Sequence, residues 1–259
     1  MKGKIMDAFK EKICNQKNVI GTMISEISTP NLVRMLKSAG YEFVFVDCEH
    51  GYFDFNEIAN ITSVGNGFGI KVIVRVPSVQ REFITKVMDI GVDGLLLPQI
   101  DTIQQAKDAV QFAKYAPLGQ RGISTTRAHT GYHVDSLPDY LKTANDRTVL
   151  LAQIESREAV ANSFDIAAVE GIDGLIIGPN DMAAESGIPG QVFAPEVKEM
   201  VAKVIKNCHK AGKSLGIVDG NIERLHYWQS QGMNIFCIGS EVHMILKGAK
   251  ENMKAFKAE

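Results

Sequence analysis

Phe43 to Val46 is as apolar as a protein interior, yet it runs directly into Asp47-Cys48-Glu49-His50. Three other apolar runs end in polar groups. Val72-Ile73-Val74 ends in Arg75, Leu150-Leu151-Ala152 in Gln153-Ile154-Glu155, and Leu175-Ile176-Ile177 in Gly178-Pro179-Asn180-Asp181. Two carboxylates, Glu155 and Asp181, with no histidine or cysteine beside them make an oxygen-rich pair. Such a pair suits a hard divalent cation, Mg²⁺ or Mn²⁺, with Co²⁺ also tolerated. An arginine can hold an oxyanion from which the cation also withdraws charge. A histidine can move a proton at neutral pH. Together these groups could stabilise an enolate. Each has a duller reading alone: Arg75 as a structural ion pair, Glu155 and Asp181 as exposed loop acids, His50 as a satisfied loop histidine. Their joint occurrence at the ends of buried segments argues against coincidence.

What must position them is a repeated unit. Gly40-Tyr-Glu-Phe-Val-Phe-Val, Gly91-Val-Asp-Gly-Leu-Leu-Leu, Gly171-Ile-Asp-Gly-Leu-Ile-Ile and Gly232-Met-Asn-Ile-Phe-Cys-Ile share one pattern. A helix-ending glycine in the left-handed conformation, a tight loop and a strand buried on both faces would produce it. The segments before these glycines carry helical spacing, as in Val79, Phe83, Ile84, Val87 and Met88. Thr29-Pro30 reads as an N-cap and a first-turn proline, Asp101-x-x-Gln104 as a capping box, and Pro195 to Gly212 as one bounded helix. Strands are expected at 19–24, 43–47, 72–76, 94–97, 149–154, 174–178, 214–218 and 235–239. Eight strands alternating with helices predict a (β/α)₈ TIM barrel, a single domain over 1–259. Barrel sites form where the strands' carboxyl ends meet, and that is where the polar groups fall. A doubly wound sheet is the runner-up, but Gly65-x-Gly67-x-Gly69 precedes a strand and reads as a loop rather than a dinucleotide fingerprint.

Residues 115–147 break the rhythm and read as a long loop insertion of functional or mobile character. The 259 residues are 45% hydrophobic and 22% charged with a formal charge of −2, so no nucleic-acid footprint is visible. No apolar run approaches a membrane span, and Met1 to Asp7 lack the apolar core of a signal peptide. The four cysteines are scattered, suggesting neither disulfides nor zinc. A cytoplasmic location is expected. Lysines do not fall at strand carboxyl ends, which disfavours Schiff-base chemistry, and there is no Gly-x-Ser-x-Gly elbow or Walker loop.

The ordered series Asp47-x-Glu49-His50-Gly51, Val74-Arg75-Val76, Met88-Asp89-x-Gly91, Tyr115-x-Pro117-x-Gly119-x-Arg121-Gly122, Gln153-Ile-Glu155 and Gly178-Pro-x-Asp181 resembles the motifs of the HpcH/HpaI aldolases. These are class II pyruvate aldolases, and the resemblance covers about residues 19 to 250. It implies a (β/α)₈ barrel assembled as a homo-oligomer, a hexamer built as a trimer of dimers, with a C-terminal helix at about 241–256 exchanged between partners. It implies that Glu155 and Asp181 bind the divalent metal. Arg75 would hold the C2 oxygen of a 2-oxo acid as it becomes an enolate oxygen, and His50, oriented by Asp89, would assist proton transfer. Gln153, Gly178, Asn180, Asp181 and Asp47, with Arg75, would bind or support substrate. The implied reaction is reversible retro-aldol cleavage of a 4-hydroxy-2-oxo acid to pyruvate and an aldehyde. The sequence departs from the family's pattern at Met182-Ala183, at Ala116, in the first strand, which lacks a tryptophan, and at Glu241 where an aspartate is common.

Two other readings stand beside it. A malyl- or citramalyl-CoA-type carbon–carbon lyase would use a similar barrel and metal, but no basic cluster near the strand ends plainly serves a nucleotide. A non-catalytic barrel binding a 2-oxo acid would be expected to have lost the polar set that this chain retains. Cys48 and Glu49 carry no assigned role.

Overall fold

The computed structural model describes residues 7–258. The first six residues, part of the stretch read above as lacking a signal peptide, lie outside the described residues. Eight parallel strands close on themselves in chain order. They are β1 (Val19–Ile24), β2 (Phe43–Asp47), β3 (Lys71–Arg75), β4 (Gly94–Leu97), β5 (Val149–Ile154), β6 (Gly174–Ile177), β7 (Ser214–Asp219) and β8 (Ile235–Ser240). Around them run α1 (Ala8–Cys14), α2 (Asn31–Ser38), α3 (Phe55–Phe68), α4 (Arg81–Ile90), α5 (Ile103–Ala113) and α6 (Leu137–Arg147). The circuit is completed by α7 (Arg157–Ala168), α8 (Pro179–Glu185), α9 (Pro195–Lys210), α10 (Ile222–Ser230) and α11 (Glu241–Lys257). The expected single-domain TIM barrel is what forms, and every strand lies within a residue of its expected bounds.

The repeat acts twice in each unit. Gly40, Gly91, Gly171 and Gly232 have φ of +99°, +96°, +100° and +98°, the left-handed turn out of a helix. Two residues later, Glu42, Asp93, Asp173 and Asn234 each accept a backbone N–H from the second residue of the preceding strand. Those donors are Ile20, Val72, Leu150 and Leu215. The acidic or amide position therefore ties β2 to β1, β4 to β3, β6 to β5 and β8 to β7 at the base of the barrel, satisfying backbone donors there.

Alternation along each strand sorts its residues into two layers. Val19, Met23, Phe43, Phe45, Ile73, Leu96, Leu151, Ile176, Ile235 and Cys237 fill the interior, and Phe9 and Ile13 of α1 pack with them. Residues such as Val44, Val46, Val72, Val74, Leu95, Leu175 and Ile217 pack outward against the helices. The inward series of β2, Phe43 and Phe45, continues to Asp47. That of β3, Ile73, continues to Arg75, its direct partner in the ladder.

Four local expectations change. Gly65 and Gly67 lie within α3 instead of a loop, with Gly69 as its left-handed cap. Gly65 is required by packing, since a Cβ there would come 2.6 Å from Val72 Cγ2. The capping box of α5 is Thr102 with Gln105, one residue beyond the expected pair, because Asp101 bonds Ser156 instead. The residue at the N-cap position of α2 is Pro30, with no side-chain hydrogen bond. Within 115–147 the chain forms a 3₁₀ turn at Ala128–Thr130 and then α6, which buries Ala144 and Asn145. Among the described residues no helix is long and apolar enough to cross a membrane.

Candidate active site

Arg75 and Asp47 form the rigid part of the barrel mouth. Arg75 Nε donates to Asp47 Oδ1 at 2.9 Å and Nη2 to Oδ2 at 2.6 Å. Burial would push the Asp47 carboxyl up, but Arg75 and the backbone N–H groups of His50 and Glu49 outweigh it and hold it below the usual range. Burial would likewise lower the Arg75 pKa, and the surrounding Asp47, Glu49 and Glu155 raise it instead. The guanidinium is therefore a fixed charge.

Glu49 is part of this cluster, which sequence reasoning missed. Its Oε2 lies 3.1 Å from Arg75 Nη1 and 4.0 Å from His50 Nε2. Burial raises its pKa, Arg75 and His50 oppose that, and Asp47 and Asp181 add to it. The available signal was alternation: two residues past inward-facing Asp47, position 49 returns to the same side. Cys48, between them, packs outward in the apolar layer, and burial pushes its thiol up to about 12, leaving it inert.

Across the mouth, Glu155 follows β5 and is 7% exposed. Burial, then the charges of Asp181 and Glu49, push its carboxyl up to about 8. Asp181 stands exposed in the first turn of α8. Gln153 points inward with its Oε1 buried and without a hydrogen-bond partner among the described residues. Gly178 leaves room for both neighbours, since a Cβ there would lie 2.9 Å from Glu155 Cγ and 3.1 Å from Gln153 Nε2.

His50 has a largely exposed side chain, and its backbone N–H donates to Asp47 Oδ1 at 3.3 Å. Asp89 is not brought to it within the chain. The Asp89 carboxylate, in the last turn of α4, instead accepts Arg121 Nη2 at 2.7 Å and lies 3.8 Å from His129 Nδ1. Among the described residues no hydrogen bond or ion pair joins Asp89 to His50.

The model of the HpcH/HpaI aldolase/citrate lyase family matches residues 22–248, which include every polar group above. The chain belongs to that family. A hydroxypyruvate/pyruvate aldolase from Roseovarius nubinhibens is 30% identical over 98% of both chains. A 2-keto-3-deoxy-L-rhamnonate aldolase from Salmonella gallinarum is 29% identical over 100% of this chain and 96% of its own. The crystal structure of an HpcH/HpaI aldolase from Desulfitobacterium hafniense superposes with a TM-score of 0.93 at 30% identity, covering 97% of each chain. The chain is thus a carbon–carbon lyase of the aldolase class, in a family of metal-dependent class II enzymes.

The residues of this HpcH/HpaI family member fit such a metal. The Asp181 charge raises the cost of ionising Glu155, a repulsion that a divalent cation would turn into attraction. The space kept by Gly178 lies between the Glu155 carboxylate and the side chain of Gln153, whose amide oxygen is unpartnered. Among the described residues no group of three or more His, Cys, Asp or Glu side chains forms a closed cage. Water and substrate oxygens would complete the coordination, as suits a hard divalent cation.

Proposed function

We propose that this protein catalyses reversible retro-aldol cleavage of a 4-hydroxy-2-oxo acid to pyruvate and an aldehyde, with a divalent cation, Mg²⁺ or Mn²⁺, held by Glu155 and Asp181. The observation that carries the reading is the buried Glu155 carboxylate, pushed up to about 8 by burial and by Asp181, across the mouth from a fixed guanidinium. When bound, the cation would withdraw charge from the C2 oxygen of the 2-oxo acid.

Arg75, its Nε and Nη2 held by Asp47 and its Nη1 within 3.1 Å of Glu49, keeps a fixed positive charge that stabilises that oxygen as negative charge develops. His50 takes the proton from the 4-hydroxyl as the carbon–carbon bond breaks and returns one to the methyl carbon of pyruvate. Backbone N–H groups around Asn180 and Asp181, beside Gly178, receive the substrate carboxylate, and Gln153 and Asp47 support the site. The part expected of Asp89 in orienting His50 requires a contact that a second copy of the chain would supply. The same assembly would use the last helix. Ile245, Leu246, Met253 and Phe256 of α11 are exposed, and a groove lined by Ile20, Ile222, Leu225, Phe236 and Ile238 lies open on the outside of the barrel. We propose that α11 of one protomer covers this groove on another, within a homo-oligomer.

The test is pyruvate release from 4-hydroxy-2-oxo acids. Activity should stop on chelation and return with Mn²⁺ or Mg²⁺, and Arg75→Ala should lower kcat roughly 100-fold or more. Full activity in that variant, or indifference to the chelator, would overturn the reading.

A further inference from the structure

Where the barrel closes, the β1–β8 ladder is irregular. Val19, Ile20 and Gly21 pair in step with Ile235, Phe236 and Cys237, and then the register shifts so that Met23 faces Ser240. Thr22 Oγ1 spans the shift, donating to the carbonyls of Ile238 at 2.9 Å and Gly239 at 3.2 Å. Beyond it a side chain takes over from the ladder. Glu241, the first residue of α11, is 2% exposed. Its Oε1 accepts the backbone N–H groups of Ser25 at 2.8 Å, Glu26 at 2.7 Å and Ile27 at 3.1 Å, while Oε2 accepts the Ser25 hydroxyl at 3.2 Å. Three successive N–H groups converging on one anionic oxygen make a nest, and here the occupant belongs to the chain itself.

The loop held in this way abuts the one that carries His50. Tyr52 donates its hydroxyl to Glu26 Oε2 at 2.9 Å. Gly51 approaches so closely that a Cβ on it would lie 2.9 Å from the Ser25 carbonyl oxygen. His50 therefore sits between two supports: Asp47, which accepts its backbone N–H, and the 25–27 loop, which meets the next two residues.

We infer that Glu241 is a positioning residue of the catalytic mouth, holding residues 25–27 against Gly51 and Tyr52 and so fixing the place of His50. Its kinetic consequence rests on the proton-transfer role proposed above for His50; its structural consequence does not. A shorter or neutral side chain at 241 would let the β1–α2 loop drift, and the histidine with it, without touching Glu155 or Asp181.

Hydrogen exchange read by mass spectrometry on the full chain tests this directly. In Glu241→Gln and Glu241→Ala the amides of 25–27 should exchange on the order of ten-fold faster, and the acceleration should spread to 49–53 while β5 and β6 keep their wild-type rates. Release of 25–27 with 49–53 unchanged overturns the inference, as does no release at 25–27. Should the alanine variant not fold, the isosteric glutamine variant decides, and Glu241→Asp, which keeps the charge, should regain part of the protection. The kinetic arm is a double-mutant cycle. Glu241→Gln should lower kcat about ten-fold with KM nearly unchanged, and should add no further loss in a His50→Ala background. Equal losses in both backgrounds would show a merely structural role and overturn the inference. A wild-type protein inactive on every aldol would sink the functional reading alone, leaving the exchange experiment to decide this one.

Discussion

Arg75 and Asp47 face each other as direct partners in the β2–β3 ladder, joined by two N–H···O bonds at 2.9 and 2.6 Å. Both are buried, so the plane of the guanidinium is set before any substrate arrives. A bidentate fork of this kind fixes orientation as well as charge.

Asp47→Asn keeps the shape and removes the anion, leaving a buried arginine under-paired. Breaking such a pair costs about 3–5 kcal/mol, and misplacing the oxyanion donor should lower kcat roughly 100-fold. Urea denaturation and steady-state kinetics check both numbers. Wild-type kcat in this variant would show that Arg75 needs no anchor.

Gly178→Ala tests the space beside Glu155. The added methyl would meet Glu155 Cγ at 2.9 Å, so the carboxylate must shift. Mn²⁺ affinity measured by titration should fall about ten-fold while the thermal midpoint moves by only a few degrees. Unchanged affinity would mean that Glu155 is not a ligand in its present position.

Lys114 supplies a pH test remote from the mouth. Its ammonium is buried on the carbonyls of Asn145 and Thr148, at 2.8 and 2.6 Å. Burial, with Lys10 nearby, lowers its pKa to about 7. The unfolded chain holds this proton up to about pH 10.5 and the folded chain releases it near 7, so folding is penalised below pH 7. The penalty is relieved as pH rises through that window, at about 1.4 kcal/mol per pKa unit as an upper bound. Relative to Lys114→Met, the wild type should therefore gain stability from pH 7 to 10. A difference that stays constant with pH would contradict the assignment.

The exposed residues of α11 predict an assembly. Leu246→Asp should reduce the mass found by light scattering, because a charge would enter the apolar contact proposed with the groove around Ile20 and Phe236. The same mass in both proteins would place the interface elsewhere.

The barrel was legible because strands such as β2, β4, β5 and β6 are buried on both faces and each repeat opens on a glycine that must turn left-handed. The positions of Arg75, Gln153, Glu155 and Asp181 at the mouth were legible because each follows or ends an apolar run that forms a strand. Glu49 was missed because it lies past the last residue of β2, where alternation counts only if the chain stays extended beyond the strand. The partners of Asp89 were hidden for another reason. Arg121 and His129 arrive on a segment whose path is set by particular contacts, such as Tyr115 Oη to His129 Nε2 at 3.3 Å, and not by any repeat. The grip of Glu241 joins residues more than two hundred positions apart, beyond the reach of local pattern.

Exchange of the methyl hydrogens of pyruvate with deuterium from solvent, followed by NMR, tests the central claim most directly, because it needs no knowledge of the aldehyde. With Mg²⁺ the wild type should catalyse the exchange, and metal-stripped protein and Glu155→Ala should not. Exchange continuing at the wild-type rate in either would contradict the account.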